Sequence, residues 1–113
     1  MIAQKYLISA ADFKRDHLQT RRPDRRFSLA SLQVKVYYSK HLQSRCAVIA
    51  PLDRFSHVVA RNVVRRMIYE AVRPYIATQT PPLDMVCIIG KPLGVYTPSQ
   101  LQSFFTDVFH SLS

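Results

Sequence analysis

Residues 56–73 read SHVVARNVVRRMIYEAVR, with apolar and basic side chains recurring at the helical repeat and not at the period of two of a strand. Ser56 is placed to cap the start, and Pro74 is expected to end the helix, because a proline ring clashes with the turn before it. At about 100° per residue, Ala60, Val63, Val64, Met67, Ile68 and Ala71 fall on one side. Arg61, Asn62, Arg65, Arg66, Tyr69, Glu70 and Arg73 gather on the other. One face should therefore pack on a sheet while the opposite face presents four guanidinium groups. An isolated surface arginine is ordinarily just solvated. Four together, with only Glu70 nearby to neutralise them, favour a phosphate-binding surface. Asn62 reads equally as an amide that orients a phosphate or a metal-bound water and as a plain solvent-facing side chain.

The segments around this helix supply the sheet it needs. In residues 32–39, LQVKVYYS, Leu32, Val34, Val36 and Tyr38 point one way and Gln33, Lys35 and Tyr37 the other, the pattern of a strand buried on one face. KHLQSR then connects to a second strand, Arg45 to Ala50, stopped by Pro51. Downstream, the proline-rich TQTPP leads into LDMVCIIG (83–90), a near-continuous apolar run expected of a strand covered on both sides. At the N-terminal end, SAADFKRDH (9–17) reads as a short Ser-capped helix, and TRRPDRR (20–26) as a basic loop. The C-terminal PSQLQSFFTDVFHSL spaces Leu101, Phe104, Phe105, Val108 and Leu112 for a closing helix capped by Thr97 or Ser99. The order helix, strands, helix, strand, helix predicts an α+β fold in one domain over residues 1–113.

Sixteen Lys and Arg against seven Asp and Glu give a net charge of +9 on 113 residues, a self-repulsion that a polyanionic partner relieves. The basic residues are mostly arginine, whose planar fork suits phosphates and bases, so nucleic acid is favoured over an anionic membrane. The opening residues have no secretory apolar core, and no run approaches the length needed to cross a bilayer. A cytosolic, cytoplasmic location is expected. Cys46 and Cys87 sit in short apolar runs and read as buried thiols. His17, His41, His57 and His110 are scattered, and Asp12, Asp53, Asp84 and Asp107 show no spacing of a two-metal or acid-base site. No catalytic residue or protein-held metal is expected.

The run ARNVVRRMIYEA (60–71) resembles the signature helix of the bacterial ribonuclease P protein family, Arg-Asn-Arg followed after one residue by Lys-Arg or Arg-Arg. Arg61, Asn62, Arg65 and Arg66 match it; Val63 stands where the family has its second Arg. The Lys-Lys pair and small residue that precede the family's helix correspond to Asp53, Arg54 and Ser56. The order of elements is similar over nearly the whole chain, including a strand opening on Arg45 and another with Asp84 near its start. The resemblance implies a two-layer sandwich, a sheet of about four strands in the order α-β-β-(β)-α-β-α, with a left-handed crossover carrying the signature helix. Handedness statistics alone would choose the opposite hand.

The resemblance also implies the function: the protein subunit of a ribonucleoprotein endonuclease that trims the 5' leader from precursor tRNA. Hydrolysis would be carried by the catalytic RNA with Mg2+ held through that RNA, and the protein would be a monomer without it. Arg54, Arg61, Asn62, Arg65, Arg66 and Arg73 are the candidate contacts to the catalytic RNA. Phe13, His17, Lys35 and Tyr37 are the candidates for a leader cleft, where aromatic rings stack on unpaired bases and cations track the backbone. Phe13 matches the first of two aromatics that the family carries on its short helix, and His17 occupies the place of the second. Core packing is the competing reading of Phe13. Three other functions stay open on the residues alone: another small RNA-binding protein of ribosomal kind, a basic adaptor for an acidic protein or anionic lipid, and a nuclease acting alone.

Overall fold

The computed structural model describes residues 4–18, 20–39, 42–49, 58–90 and 96–112. After a 3-10 turn at Gln4–Tyr6 come α1 (Ala10–Arg15), β1 (Arg25–Leu29), β2 (Leu32–Tyr38), β3 (Arg45–Ile49), α2 (Val58–Ile76), β4 (Leu83–Ile88) and α3 (Pro98–Leu112). The strands form one sheet in the order β1-β2-β4-β3, antiparallel except for the β3–β4 pair, which α2 connects as a crossover.

α1 starts and stops for local reasons. The Ser9 hydroxyl accepts from the Asp12 amide at 3.0 Å, the cap expected from sequence. Beyond the C-terminal end, His17 takes a left-handed φ of 57°. Its amide donates to the Lys14 carbonyl at 3.2 Å and the Leu18 amide to the Phe13 carbonyl at 3.1 Å, the paired bonds of a Schellman ending. The motif turns Leu18 back under the helix, where it joins Phe13 in one apolar cluster.

Two expectations for the N-terminal half change. Arg25 and Arg26, read as part of a basic loop, open β1, which pairs residue for residue with β2 through a turn at Ala30 and Ser31. Arginine has no strong strand preference; an edge position lets both side chains reach solvent while Phe27 and Leu29 turn inward. Tyr37, expected on the open face of β2, is on that face but only 1% exposed, whereas Tyr38 is exposed.

α2 runs on through Pro74 to Ile76. Proline's fixed φ is helical, and tertiary contacts hold the last turn: Ile76 is buried, Tyr75 stacks on Phe109 with ring centroids 5.0 Å apart, and its hydroxyl lies 2.6 Å from that of Thr106. Ser56 lies outside the described residues. The buried stripe of α2 is Val64, Ile68, Ala71, Val72 and Ile76. Val63, expected inside, is 48% exposed, and Tyr69, expected outside, is half-buried. The helix is thus rolled by roughly 70° on the wheel from the arc that apolarity alone picks out, because it packs on α3 as well as on β3.

α2 and α3 cover one face of the sheet, and their buried residues join Leu32, Val34, Val36, Cys46, Val48, Leu83, Met85 and Cys87 in the main core. α3 begins with a capping box, the Gln100 amide donating to the Thr97 hydroxyl at 3.2 Å and the Thr97 amide to Gln100 Oε1 at 3.3 Å. Both cysteines are buried free thiols, as expected. Among the described residues no helix is long and apolar enough to cross a membrane.

Candidate functional site

The other face of the sheet is only half covered, and the register fixes what it shows. Cross-strand partners point to the same side, so three rows stand side by side: Tyr37–Asp84–Arg45, Arg26–Lys35–Val86–Ala47 and Ser28–Gln33–Ile88–Ile49. α1 sits over the first row. The other two floor a groove of about 270 Å³ lined by Phe13, Leu18, Lys35, Ile49, Val86 and Ile88. A second groove of about 270 Å³ continues toward the sheet edge along Arg26, Ser28, Gln33 and Lys35. Lys35 stands where the two meet. The surface therefore grades from an apolar slot beside an aromatic ring to a cationic shelf at β1.

Arg45 fixes α1 above this face. Its Nε and Nη2 donate to Asp84 Oδ1 and Oδ2 at 3.0 and 3.1 Å, its Nη2 also to Asp16 Oδ2 at 2.8 Å, and its Nη1 lies 3.2 Å from Asp12 Oδ2. Burial pulls the Arg45 pKa down, but the hydrogen bonds to Asp84 and Asp16 and their charges outweigh it, and the guanidinium is held above its usual value. Three carboxylates from two elements are thus engaged by one buried cation.

Of the four cleft candidates, the structure brings Phe13 and Lys35 into the groove. His17 is exposed and lies outside the lining; its part is the left-handed turn that seats Leu18. Tyr37 lies beneath Leu18, donating its hydroxyl to the Leu18 carbonyl at 2.9 Å, with the Arg21 guanidinium 5.6 Å from its ring centroid. Burial raises its pKa, against the opposing charges of Arg26 and Arg21. Its ring is packed, so a base has no open face to stack on there.

On α2, Asn62 and Arg66 are exposed, and Arg73 is exposed and paired with Glu70 at 3.3 Å. Arg65 is half-buried, and its Nε is buried without a hydrogen-bond partner. That is the consequence of the roll: Arg65 sits at the margin of the packed arc, where an unpaired donor costs about 1–3 kcal/mol. Arg54 lies outside the described residues, as does the side chain of Arg61.

The profile of the Ribonuclease P family matches residues 4–113, from the first turn through the closing helix. The chain belongs to the ribonuclease P protein family. It is similar to the Ribonuclease P protein component of Psychrobacter sp. (strain PRwf-1), with 32% identity over 72 residues, 64% of this chain. That match spans 55% of the curated relative's length. The fold is similar to that of the RNase P protein of Staphylococcus aureus, with a TM-score of 0.68 at 20% identity over 94% of both chains. The RNase P protein of Thermotoga maritima gives a TM-score of 0.69 at 15% identity, covering 89% of this chain and 94% of that one.

For this member of the ribonuclease P family, sequence reasoning missed two residues that matter to the groove. Arg26 was hidden because its run of arginines reads as a loop until the pairing with Lys35 is known. Arg45 was recognised as the start of a strand, but its role depends on carboxylates 29, 33 and 39 positions away that only the fold collects.

Proposed function

We propose that this chain is the protein subunit of a ribonuclease P ribonucleoprotein, binding the 5' leader of precursor tRNA in the groove and the catalytic RNA on α2. The observation that carries the reading is the groove itself: an apolar floor of Val86, Ile88 and Ile49, Phe13 beside it, and Lys35 at its end. A single strand needs a surface of this kind, with π-faces and apolar area for bases and cations for phosphates, because neither reads a sequence. A duplex would instead ask for an element that enters a groove. Arg26 and Lys35 have no carboxylate partner among the described residues, which leaves their charge for the backbone of the strand.

Hydrolysis is assigned to the RNA and to magnesium held through it. Among the described residues, Asp12, Asp16 and Asp84, at and beneath α1, are engaged by Arg45, which supports giving the protein binding and orientation as its share. Asn62 is the one α2 amide placed to steady a phosphate or a metal-bound water.

Reconstitution tests this directly. The cognate catalytic RNA at low magnesium should cleave precursor tRNA well only when the protein is added, and RNA-free protein should not cleave. Cleavage by the protein alone, or no stimulation of the RNA, overturns the proposal.

A further inference from the structure

We propose that Arg45 is a positioning residue for leader binding: by gripping Asp12 and Asp16 it holds α1 at the height that keeps Phe13 over the groove. The inference rests on the proposed leader site and adds the part that sets its width. Phe13 lies between Asp12 and Asp16 on a helix of only six residues, too short to hold its place by its own hydrogen bonds. The Arg45 side chain is 9% exposed and pinned side-on by Asp84, itself 3% exposed, so it is a fixed post in the sheet. Asp12 and Asp16 reach down to that post from α1, at 3.2 and 2.8 Å, with side chains 24% and 23% exposed.

The arrangement divides into a sheet half, Arg45 with Asp84, and a helix half, Asp12 and Asp16. Breaking the helix half loosens α1 at its middle while Leu18, buried and bonded by Tyr37, still ties its end to the sheet. Arg45 keeps Asp84, so the partly solvated carboxylates can become amides at less cost than a change at Asp84. Stacking and apolar contacts depend on separations near van der Waals distance, so a displacement of α1 well under the width of a base removes the Phe13 contact without altering the floor.

The test uses holoenzyme reconstituted with the catalytic RNA. The double variant Asp12→Asn/Asp16→Asn should weaken binding of precursor tRNA by about tenfold, leave mature tRNA and the affinity for the catalytic RNA unchanged, and speed hydrogen exchange at the Asp16 and Leu18 amides, which close α1. Arg45→Lys leaves both carboxylates on the helix but cannot reach three partners at once. It should show the same leader-specific loss, which separates positioning from the helix's own stability. Equal losses for precursor and mature tRNA would make the cluster a structural staple and overturn the proposal. So would an unchanged leader affinity in a background where Phe13→Ala does weaken leader binding. If Phe13→Ala has no effect either, the leader reading of the groove falls and the role of Arg45 falls with it.

Discussion

Arg45 and Asp84 face each other across the parallel β3–β4 pair as register partners, joined by two hydrogen bonds of 3.0 and 3.1 Å. Both side chains are buried, so neither charge has water to fall back on. Asp84→Ala would leave the guanidinium with only the α1 carboxylates and should cost about 3 kcal/mol or more in unfolding free energy, read from denaturant titration. The α1 pairs are different: Asp12 and Asp16 are about a quarter exposed and Arg45 keeps Asp84, so Asp12→Asn and Asp16→Asn should each cost clearly less than Asp84→Ala.

Phe13 and Tyr37 should part company in binding experiments. Phe13→Ala should weaken precursor tRNA binding by about 1 kcal/mol or more and mature tRNA little. Tyr37 is packed under Leu18, so Tyr37→Phe should instead lower stability by about 1 kcal/mol through the unpaired Leu18 carbonyl, with no preference between the two ligands. A leader-specific effect of Tyr37→Phe would contradict the packing described above.

Arg66→Ala should leave the fold intact, since the side chain is exposed, while flattening the salt dependence of catalytic-RNA binding by roughly one log-log unit. Arg26→Ala should do the same for precursor tRNA. Val63 is 48% exposed beside the basic face, so Val63→Arg is sterically free and should strengthen binding to the catalytic RNA. An unchanged affinity and salt slope for Arg66→Ala would mean that α2 meets solvent there, not RNA.

Alkaline pH should destabilise the protein through its buried thiols. Burial pushes the Cys46 pKa from 9.0 up to about 12, and burial also raises Cys87. A folded-state pKa raised above the unfolded value gives stability that is complete below pH 9 and is lost as pH climbs toward 12, because only the unfolded chain releases the proton in that window. The loss from Cys46 is about 1.4 kcal/mol per pH unit. Cys46→Val should flatten the decline of unfolding free energy between pH 9 and 11; an unaltered slope would show that the thiol does not carry it.

Local periodicity determined a great deal by itself. The Ser9 cap, a cap at Thr97 or Ser99, the alternation of Leu32 to Tyr38, the apolar run from Leu83 and the amphipathic closing helix are short-range signals, each complete within a few residues. So was the basic run of α2 and the family it resembles. What needed the tertiary structure was every property set by a partner distant in the chain. β1 exists because β2 lies beside it; Pro74 stays helical because Phe109 and Thr106 hold Tyr75; α2 is rolled toward Arg65 because it packs on β3 as well as on α3. The same holds for the groove. Alternation told which face Tyr37 occupies, but whether that face is open there depends on Leu18, which arrives only through the left-handed turn at His17. A strand's period assigns sides, and what covers a side is decided by elements that the period does not contain.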